Sequence, residues 1–397
     1  IRETDILDVW MDSGGSWLAV LDDEEIPCQL YLEGSDQHRG WFQSSLVMAV
    51  ALTDKAPYET VLTHGFVLDD KGRAMHKSLG NVVSPQKVID ELGADVLRLW
   101  VALADYSDDV RLSDKLLAGP TDTYRKLRNT FRYLLGNISD FAPEQNAVDR
   151  ESMPELERYI LMKLHELEQG VAAAYEAFAF RRAATALVDF CNLTLSACYL
   201  DARKDALYTL KADDPARRAA QTVMWECALR ITKLASPILS FTCEEVWQEL
   251  RRGLRERGSK RGLEESVFLH ALAPAPAAWN DASLADRWTR ILTVREKVFK
   301  CLEEKRAEKV IGSSLKARVV ITAAGAELAF LKELGEETWA ELLIVSEVEL
   351  RAGSEGGCTV EQAAGAKCPR CWRFRTDLGA SQEDPALCAR CVRQLGT

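Results

Sequence analysis

Four cysteines near the C-terminus are spaced for metal binding. Cys368-Pro-Arg-Cys371 is followed, after sixteen residues, by Cys388-Ala-Arg-Cys391. Each C-x2-C turn aims two thiolates at one ion, and two such turns make a tetrahedral sulfur set. Zinc suits four thiolates, and a site closed by four protein ligands is structural rather than catalytic. An iron centre on the same sulfurs and a redox dithiol pair are the alternatives. A second chemical signal is a lysine in a polar loop, Ala74-Met75-His76-Lys77-Ser78-Leu79-Gly80-Asn81. A flexible lysine loop just after a strand brings a cation onto a phosphate whose charge grows during reaction. The plain alternative is a solvated surface loop.

The elements around the lysine loop give it a frame. A strand over Val61 to His64 precedes it, with a hairpin turn at Asp69-Asp70-Lys71-Gly72. Gly72 supplies the positive φ such a turn needs. Ser84 is expected to cap a helix with Pro85 at its first position. Upstream, Gln29 to Leu32 reads as a short strand, Trp41 to Leu52 as an apolar helix, and Tyr58 to His64 as the next strand. That order predicts a parallel sheet with ligands at the carboxyl ends of its strands. Glu33, Gly34, Asp36 and Gln37 stand at one such end, and His64 and Gly65 at another. Gly34 lets a ligand approach the backbone, and Asp36 can accept hydrogen bonds from a ribose. The same residues also suit turns and caps.

From about 118 to 272 the periodicity is almost wholly helical, which predicts a bundle. Helices are expected near 155–179, 181–201, 215–235 and from Cys243 to about Arg252. Leu127, Phe131, Leu134 and Leu135 make one stripe, and Arg125, Arg128 and Arg132 lie on a neighbouring face suited to phosphates. The basic stretch Arg251 to Gly262 reads equally as an RNA contact or a solvated loop. A linker at Ala271-Leu272-Ala273-Pro274 leads into residues 273–365, read as a small α+β module. It has a helix from about Ala285 to Lys305, strands over Leu315 to Thr322 and Leu342 to Leu350, and a flexible joint at Glu355-Gly356-Gly357. Trp372, Arg373, Phe374 and Arg375 interleave aromatic and basic side chains, which suits stacking on an RNA base.

Composition narrows the class. With 47% hydrophobic and 28% charged residues, the 397-residue chain is ordinary for a globular protein of two to four domains. A net charge of −11 argues against a non-specific polyanion binder, though RNA recognition needs only a local field. Eleven cysteines, seven of them scattered, fit a reduced cytoplasm better than a disulfide framework. No run of ~18 apolar residues predicts a membrane span. The opening at Ile1, inside what reads as a strand-and-turn pattern, points to a piece of something longer.

These segments resemble the class I aminoacyl-tRNA synthetases. His64-Gly65-Phe66 and Gly72 to Pro85 are similar to the family's KMSKS region. Leu32 to Phe42 and Leu7 to Gly14 are similar to two other segments of its catalytic domain, and the terminal cysteines point to the isoleucine branch. The resemblance runs through essentially the whole chain. It implies an α/β Rossmann-type half-domain with the lysine loop over 1–117, followed by an all-α anticodon-binding bundle over 118–272. A small α+β junction module over 273–365 and a C-terminal zinc ribbon over 366–397 complete it. The family activates an amino acid with ATP, accompanied by Mg2+, and transfers it to tRNA. The resemblance therefore implies isoleucine, ATP and tRNA(Ile) as partners, a monomer in the cytoplasm, and Lys77 as the catalytic group. Glu33, Gly34, Asp36, His64 and Lys77 match the adenylate site, and Trp10, Gln37 and Trp41 the amino-acid pocket. Arg125, Arg128, Arg132, Trp372 and Arg373 are the expected tRNA contacts, and Cys368, Cys371, Cys388 and Cys391 the zinc ligands.

Departures from the family pattern qualify the reading. No His-x-Gly-His, the family's other signature, occurs in the chain, nor does the editing insertion. The chain is thus expected to be a C-terminal portion, inactive alone in aminoacylation. Ala74 stands where the family's first lysine is usual and His76 where its first serine is usual, leaving Arg73 or His76 to supply the missing charge. The rival readings are a non-catalytic tRNA-binding adaptor and a valyl or leucyl enzyme of the same class. Bundle and ribbon are expected to be separate cooperative units.

Overall fold

The computed structural model describes residues 4–260, 262–271, 274–379 and 381–396. Ile1, Arg261 of the basic stretch, and Leu272 and Ala273 of the expected linker lie outside them. The chain divides into two units, the first running to Asp122 and the second starting at Thr123.

In the first unit, α1 (Val9–Gly14) starts at Asp8, whose carboxylate accepts the Trp10 N–H at 2.9 Å. Strand β1 (Cys28–Gly34) pairs in parallel with β2 (Tyr58–His64), and α2 (Trp41–Thr53) is the crossover that parallel pairing requires. The register sets Gly34 opposite His64, so both stand at carboxyl ends. Beyond β2, β3 (Val67–Leu68) runs parallel to β4 (Val110–Arg111). Between them lie α3 (Pro85–Leu92) and α4 (Ala94–Leu103), separated by Gly93 at φ 91°. Val88, Trp100, Leu112 and Leu117 form an apolar cluster, and Met75 of the lysine loop packs on it. The expected hairpin is a tight turn with a single antiparallel bridge, Leu68 to Ala74. Gly72 does take φ 75° there. Ser84 sits at the cap position of α3, but its hydroxyl makes no capping bond.

The second unit is built on helices. They are α5 (Asp114–Asn137, which begins in the first unit), α6 (Glu155–Glu176), α7 (Phe180–Asp189), a π-helical segment (Phe190–Leu200), α8 (Asp201–Thr209), α9 (Pro215–Ala235) and α10 (Ser240–Glu256). The helix expected to end near 201 continues to Thr209, because the π segment joins α7 to α8 without a break. That continuous helix, Phe180–Thr209, is long and apolar enough to cross a membrane. Half of its most apolar window is buried, which is how a core helix of a bundle behaves. Trp225 of α9 and Trp247 of α10 are fully buried.

The junction module packs on this bundle. Trp288 of α11 (Ala282–Ala307) stacks on Tyr159 of α6 with ring centroids 4.5 Å apart. Its sheet has β5 (Ala317–Ala323) at the centre, and α12 (Gly325–Leu334) and α13 (Glu336–Leu343) follow it. β5 is parallel to β6 (Glu347–Ala352) and antiparallel to β7 (Gly357–Gln362). Two expectations need correcting here. Leu342 and Leu343 belong to α13, which stops at Ile344 in the left-handed region (φ 56°), so the apolar run was helix before it was strand. Gly357 is no flexible joint, since it opens β7 and pairs with Thr322.

The ribbon is a hairpin, β8 (Ala366–Lys367) with β9 (Phe374–Arg375), and a closing helix α14 (Ala389–Leu395). It docks on the end of α8. The middle arginines of both cysteine turns reach the end of α8. Arg370 donates to the Thr209 carbonyl at 3.0 Å, and Arg390 donates to the Thr209 hydroxyl at 2.7 Å and pairs with Asp205 at 2.6 Å. Gln394 accepts the Lys211 N–H at 2.9 Å.

A buried ion cluster ties bundle to junction module. Arg203 on α8 holds Glu157 on α6 at 2.5 and 2.7 Å and Glu341 on α13 at 2.8 Å. The Glu157 side chain is fully buried. Removing one partner of such a pair strands a charge away from water. Arg203→Ala should therefore lower stability by about 3–5 kcal/mol, read as a lower urea midpoint of the second unit. Arg203→Met with Glu157→Leu should recover most of the loss. An unchanged midpoint in Arg203→Ala would show that the cluster adds nothing to stability.

Candidate functional site

Gly34 ends β1 where the chain turns into Ser35 to Arg39. A Cβ there would sit 2.7 Å from Asp36 Oδ1 and 3.8 Å from His64 Cε1, so the missing side chain keeps open the space between those two groups. The His64 ring is fixed by a 2.8 Å hydrogen bond between Nδ1 and the Gly65 carbonyl. Glu33 and Asp36 are exposed at the same strand end. Gln37 links this end to α2: it donates to Asp36 at 3.2 Å and accepts the Trp41 N–H at 2.9 Å. The Trp10 ring lies over Gly40, close enough that a Cβ there would meet it at 2.9 Å. The parallel pair thus gathers Glu33, Gly34, Asp36, Gln37 and His64, with Trp10 beside Gln37. Trp41 is held differently from a free pocket wall. Its indole N–H donates to the Ser13 carbonyl at 2.9 Å, and its ring stacks on buried Tyr31 at 4.2 Å. One ring face is taken, so Trp41 anchors α1 to α2.

The lysine loop is organised by two residues the sequence reading passed over. Asp69, nearly buried, accepts from the Lys71 and Arg73 N–H groups at 3.0 and 2.8 Å and from the Asn81 amide at 3.0 Å. Asn81 also donates to the Ala74 carbonyl at 3.1 Å and accepts the His76 N–H at 2.9 Å. These bonds, the one from Asn81 first, hold the Asp69 carboxyl well below the usual carboxylate range. A depressed pKa contributes stability above the unfolded value of ~4, lost as pH falls through the folded value. Arg73 is engaged by Asp69 at 2.8 and 2.9 Å, so it does not replace the charge absent at Ala74. Lys77 stands exposed in a short 3-10 turn (Lys77–Leu79) closed by Gly80 at φ 63°. Among the described residues its ammonium has no ion-pair partner.

The terminal cysteines converge. The four sulfurs lie within 4.8 Å of one another and all four residues are buried. The Cys371 and Cys388 sulfurs are 3.9 Å apart. A tetrahedral ion with bonds of about 2.3 Å needs sulfurs roughly 3.8 Å apart, and a disulfide needs about 2.05 Å. The donor set therefore fits zinc and not a pair of cystines. Burial opposes ionisation of Cys368, but N–H groups of Cys371, Cys388 and Arg370 bring its thiol down to about 6. Cys371 is pushed up to about 11, by burial first and by its neighbours' sulfurs next. A dication removes that mutual repulsion.

The expected RNA contacts separate into two groups. Arg125, Arg128 and Arg132 are exposed along α5. Trp372 is 58% exposed, with Lys367 Nζ 4.6 Å over its ring, on the wall of a groove of about 510 Å³ between α8, α13 and the ribbon. Arg373 is a correction. It is buried, held by Glu337 at 2.5 Å and Asp205 at 3.6 Å, and faces protein instead of RNA. In the basic stretch Arg251 and Arg257 are half-buried and donate to the Glu265 and Ser139 carbonyls, while Arg252, Arg255 and Lys260 are exposed, with Arg252 paired to Glu249.

Comparison with known proteins adds independent findings. Residues 1–113 match the family model of class I tRNA synthetases (I, L, M and V). Residues 157–321 match the anticodon-binding domain of tRNA ligase, and residues 365–394 the zinc finger found in FPG and IleRS. The isoleucine–tRNA ligase of Syntrophotalea carbinolica is 47% identical over 99% of this chain and 43% of its own length. That of Geobacillus thermodenitrificans is 46% identical over 98% of this chain and 43% of its own length. The chain thus spans less than half the length of the curated relatives it matches. Among solved structures, a chain from the LeuRS-tRNA-LeuAMS ternary complex of Agrobacterium radiobacter K84 is similar in fold. Its TM-score is 0.57 and its identity 17%, over 91% of this chain and 42% of that one. Three family models are thus matched along the chain in this order, and nearly all of its length is similar to isoleucine–tRNA ligases, with residues 1–113 matching the class I tRNA synthetases.

Proposed function

We propose that this chain is the part of an isoleucine–tRNA ligase that supplies the lysine loop, one wall of the aminoacyl-adenylate site and the tRNA-binding surface. The observation that carries the adenylate reading is the open space at Gly34, bounded by Asp36 and His64 at the carboxyl ends of a parallel pair. Asp36 accepts the ribose hydroxyls there, the Gly34 backbone approaches the ligand, and Glu33 and His64 flank it. Trp10 and Gln37, with the free face of Trp41, border the isoleucine side chain. Lys77 reaches the pyrophosphate of ATP, which Mg2+ accompanies. A cytoplasmic monomer fits this role. Zinc on the four cysteines shapes the ribbon and takes no part in the reaction.

For tRNA, Arg128 and Arg132 carry phosphates and Trp372 stacks on a base. The chain should bind tRNA(Ile) more tightly than the same tRNA with an altered anticodon, in a filter or fluorescence titration. Two arginine–phosphate contacts on a single-stranded loop predict a log-affinity against log-salt slope of about −1.4. Equal affinity for both tRNAs would remove anticodon recognition from this reading.

A further inference from the structure

Helix α1 carries Trp10, and three contacts with the start of α2 decide where that ring stands. At one end the Trp10 ring lies on Gly40, whose absent Cβ would meet it at 2.9 Å. In the middle the Trp41 indole N–H donates to the Ser13 carbonyl at 2.9 Å and lies 3.3 Å from the Ser16 hydroxyl. At the other end is Gly14, the last residue of α1, which is buried. A Cβ on Gly14 would come 2.9 Å from Ser44 Cβ, 3.0 Å from the Ser44 carbonyl carbon and 3.0 Å from Met48 Sδ. Carbon atoms rest about 3.5–4.0 Å apart, so the two helices approach this closely only because position 14 has no side chain. The Met48 thioether can swing aside, but the Ser44 backbone carbon moves only if α2 moves.

A side chain at position 14 would therefore lift α1 from α2. Four residues separate Trp10 from Gly14, one turn of helix, so the two lie on the same face. Whatever lifts Gly14 carries the Trp10 ring away from Gln37 and Trp41. We propose that Gly14 is a positioning residue for selection of the amino acid: it seats α1 on α2 and so sets the width of the space beside Trp10. The proposal rests on the reading above, in which Trp10, Gln37 and Trp41 border the isoleucine side chain. It adds a residue that touches no substrate yet determines how closely that side chain is fitted.

The test places Gly14→Ala in a protein of the relatives' full length and follows pyrophosphate exchange with isoleucine and with valine, which is one methylene smaller. A shift of an ångström in a site can cost about 100-fold, so KM for isoleucine should rise roughly 10- to 100-fold. The preference for isoleucine over valine should fall several-fold, because a widened pocket no longer measures one methylene. KM for ATP should hold nearly constant, since Gly34, Asp36 and His64 stand on strand ends and not on α1. Gly15→Ala is the control. Its Cβ would have 3.3 Å to the Met11 carbonyl oxygen and 3.4 Å to Met48 Cε, and its kinetics should stay close to those of the unmodified protein. Loss of folded enzyme alone would lower kcat and leave each KM and the preference unchanged, and that outcome overturns the proposal. Equal changes in both glycine variants overturn it too. If Gly14→Ala does not fold, Gly14→Ala/Ser44→Gly keeps the approach to the Ser44 backbone carbon and should show the same changes at smaller size. Unchanged values there overturn the proposal. Trp10→Ala separates the two readings. If it leaves KM for isoleucine unchanged, the pocket reading fails and takes this one with it; if it raises KM while Gly14→Ala does not, only the role of Gly14 fails.

Discussion

Cys388→Ser should strip the metal from the ribbon and loosen the end of α8 with it. Structural zinc sites of this kind contribute about 10–16 kcal/mol of apparent binding free energy, far more than a ribbon's small core supplies. Metal analysis should fall from one zinc per chain to near none. Amide exchange should then speed up over the ribbon and at Thr209 to Lys211, because Arg370, Arg390 and Gln394 hold that segment from within the ribbon. The bundle core around Trp225 and Trp247 should stay protected. Unchanged zinc content would sink the four-cysteine assignment. Metal loss with full protection of the ribbon would mean that docking alone keeps it folded.

Lys77→Ala should slow adenylate formation about 10²- to 10³-fold, measured in a protein of the relatives' full length. Charge grows on the pyrophosphate as the α–β bond breaks, so an ammonium there acts chiefly in the transition state. Losing one such contact typically costs about 3–4 kcal/mol. Isoleucine binding should barely change, because in the proposed site the lysine reaches the leaving group and not the amino acid. Ala74→Lys should raise the rate or leave it level, since Arg73 is already engaged by Asp69 and leaves that position without a cation. Single-turnover pyrophosphate exchange reads both variants. Near-full rate in Lys77→Ala, or loss of isoleucine binding instead, would reduce the loop to a structural turn.

Local features were legible in the sequence where spacing alone determines geometry. The two cysteine turns show this, since a C-x2-C unit aims its sulfurs whatever surrounds it. The parallel pairing of β1 with β2 was legible for a similar reason: two apolar strands with an apolar helix between them have few other arrangements. Partners distant in sequence were not legible. Nothing near Arg203 announces Glu157 or Glu341, and Asp69 and Asn81 read as ordinary turn residues until folding brings them together. Arg373 misled because an arginine beside an exposed tryptophan looks like an RNA contact, while its burial depends on Glu337 and Asp205 of other elements. The π segment was hidden too, because a helix of normal or widened pitch shows nearly the same apolar pattern. In the candidate site, Trp41 was read as a pocket wall, and its hold on Ser13 and Tyr31 is a matter of packing that spacing does not show.

The Asp69–Asn81 bonds bear on how the lysine loop pays its entropy. Fixing a residue's backbone takes roughly 1–2 kcal/mol. His76 and Ala74 are tied to Asn81, Met75 is seated on the apolar cluster, and residues 77–80 are closed by backbone hydrogen bonds from Leu79 to His76 and from Gly80 to Lys77. The loop backbone is thus ordered already, during folding. Each round of the proposed chemistry therefore begins from a short tether, and the search of the ammonium for its target is confined to the lysine side chain and the few bonds beside it.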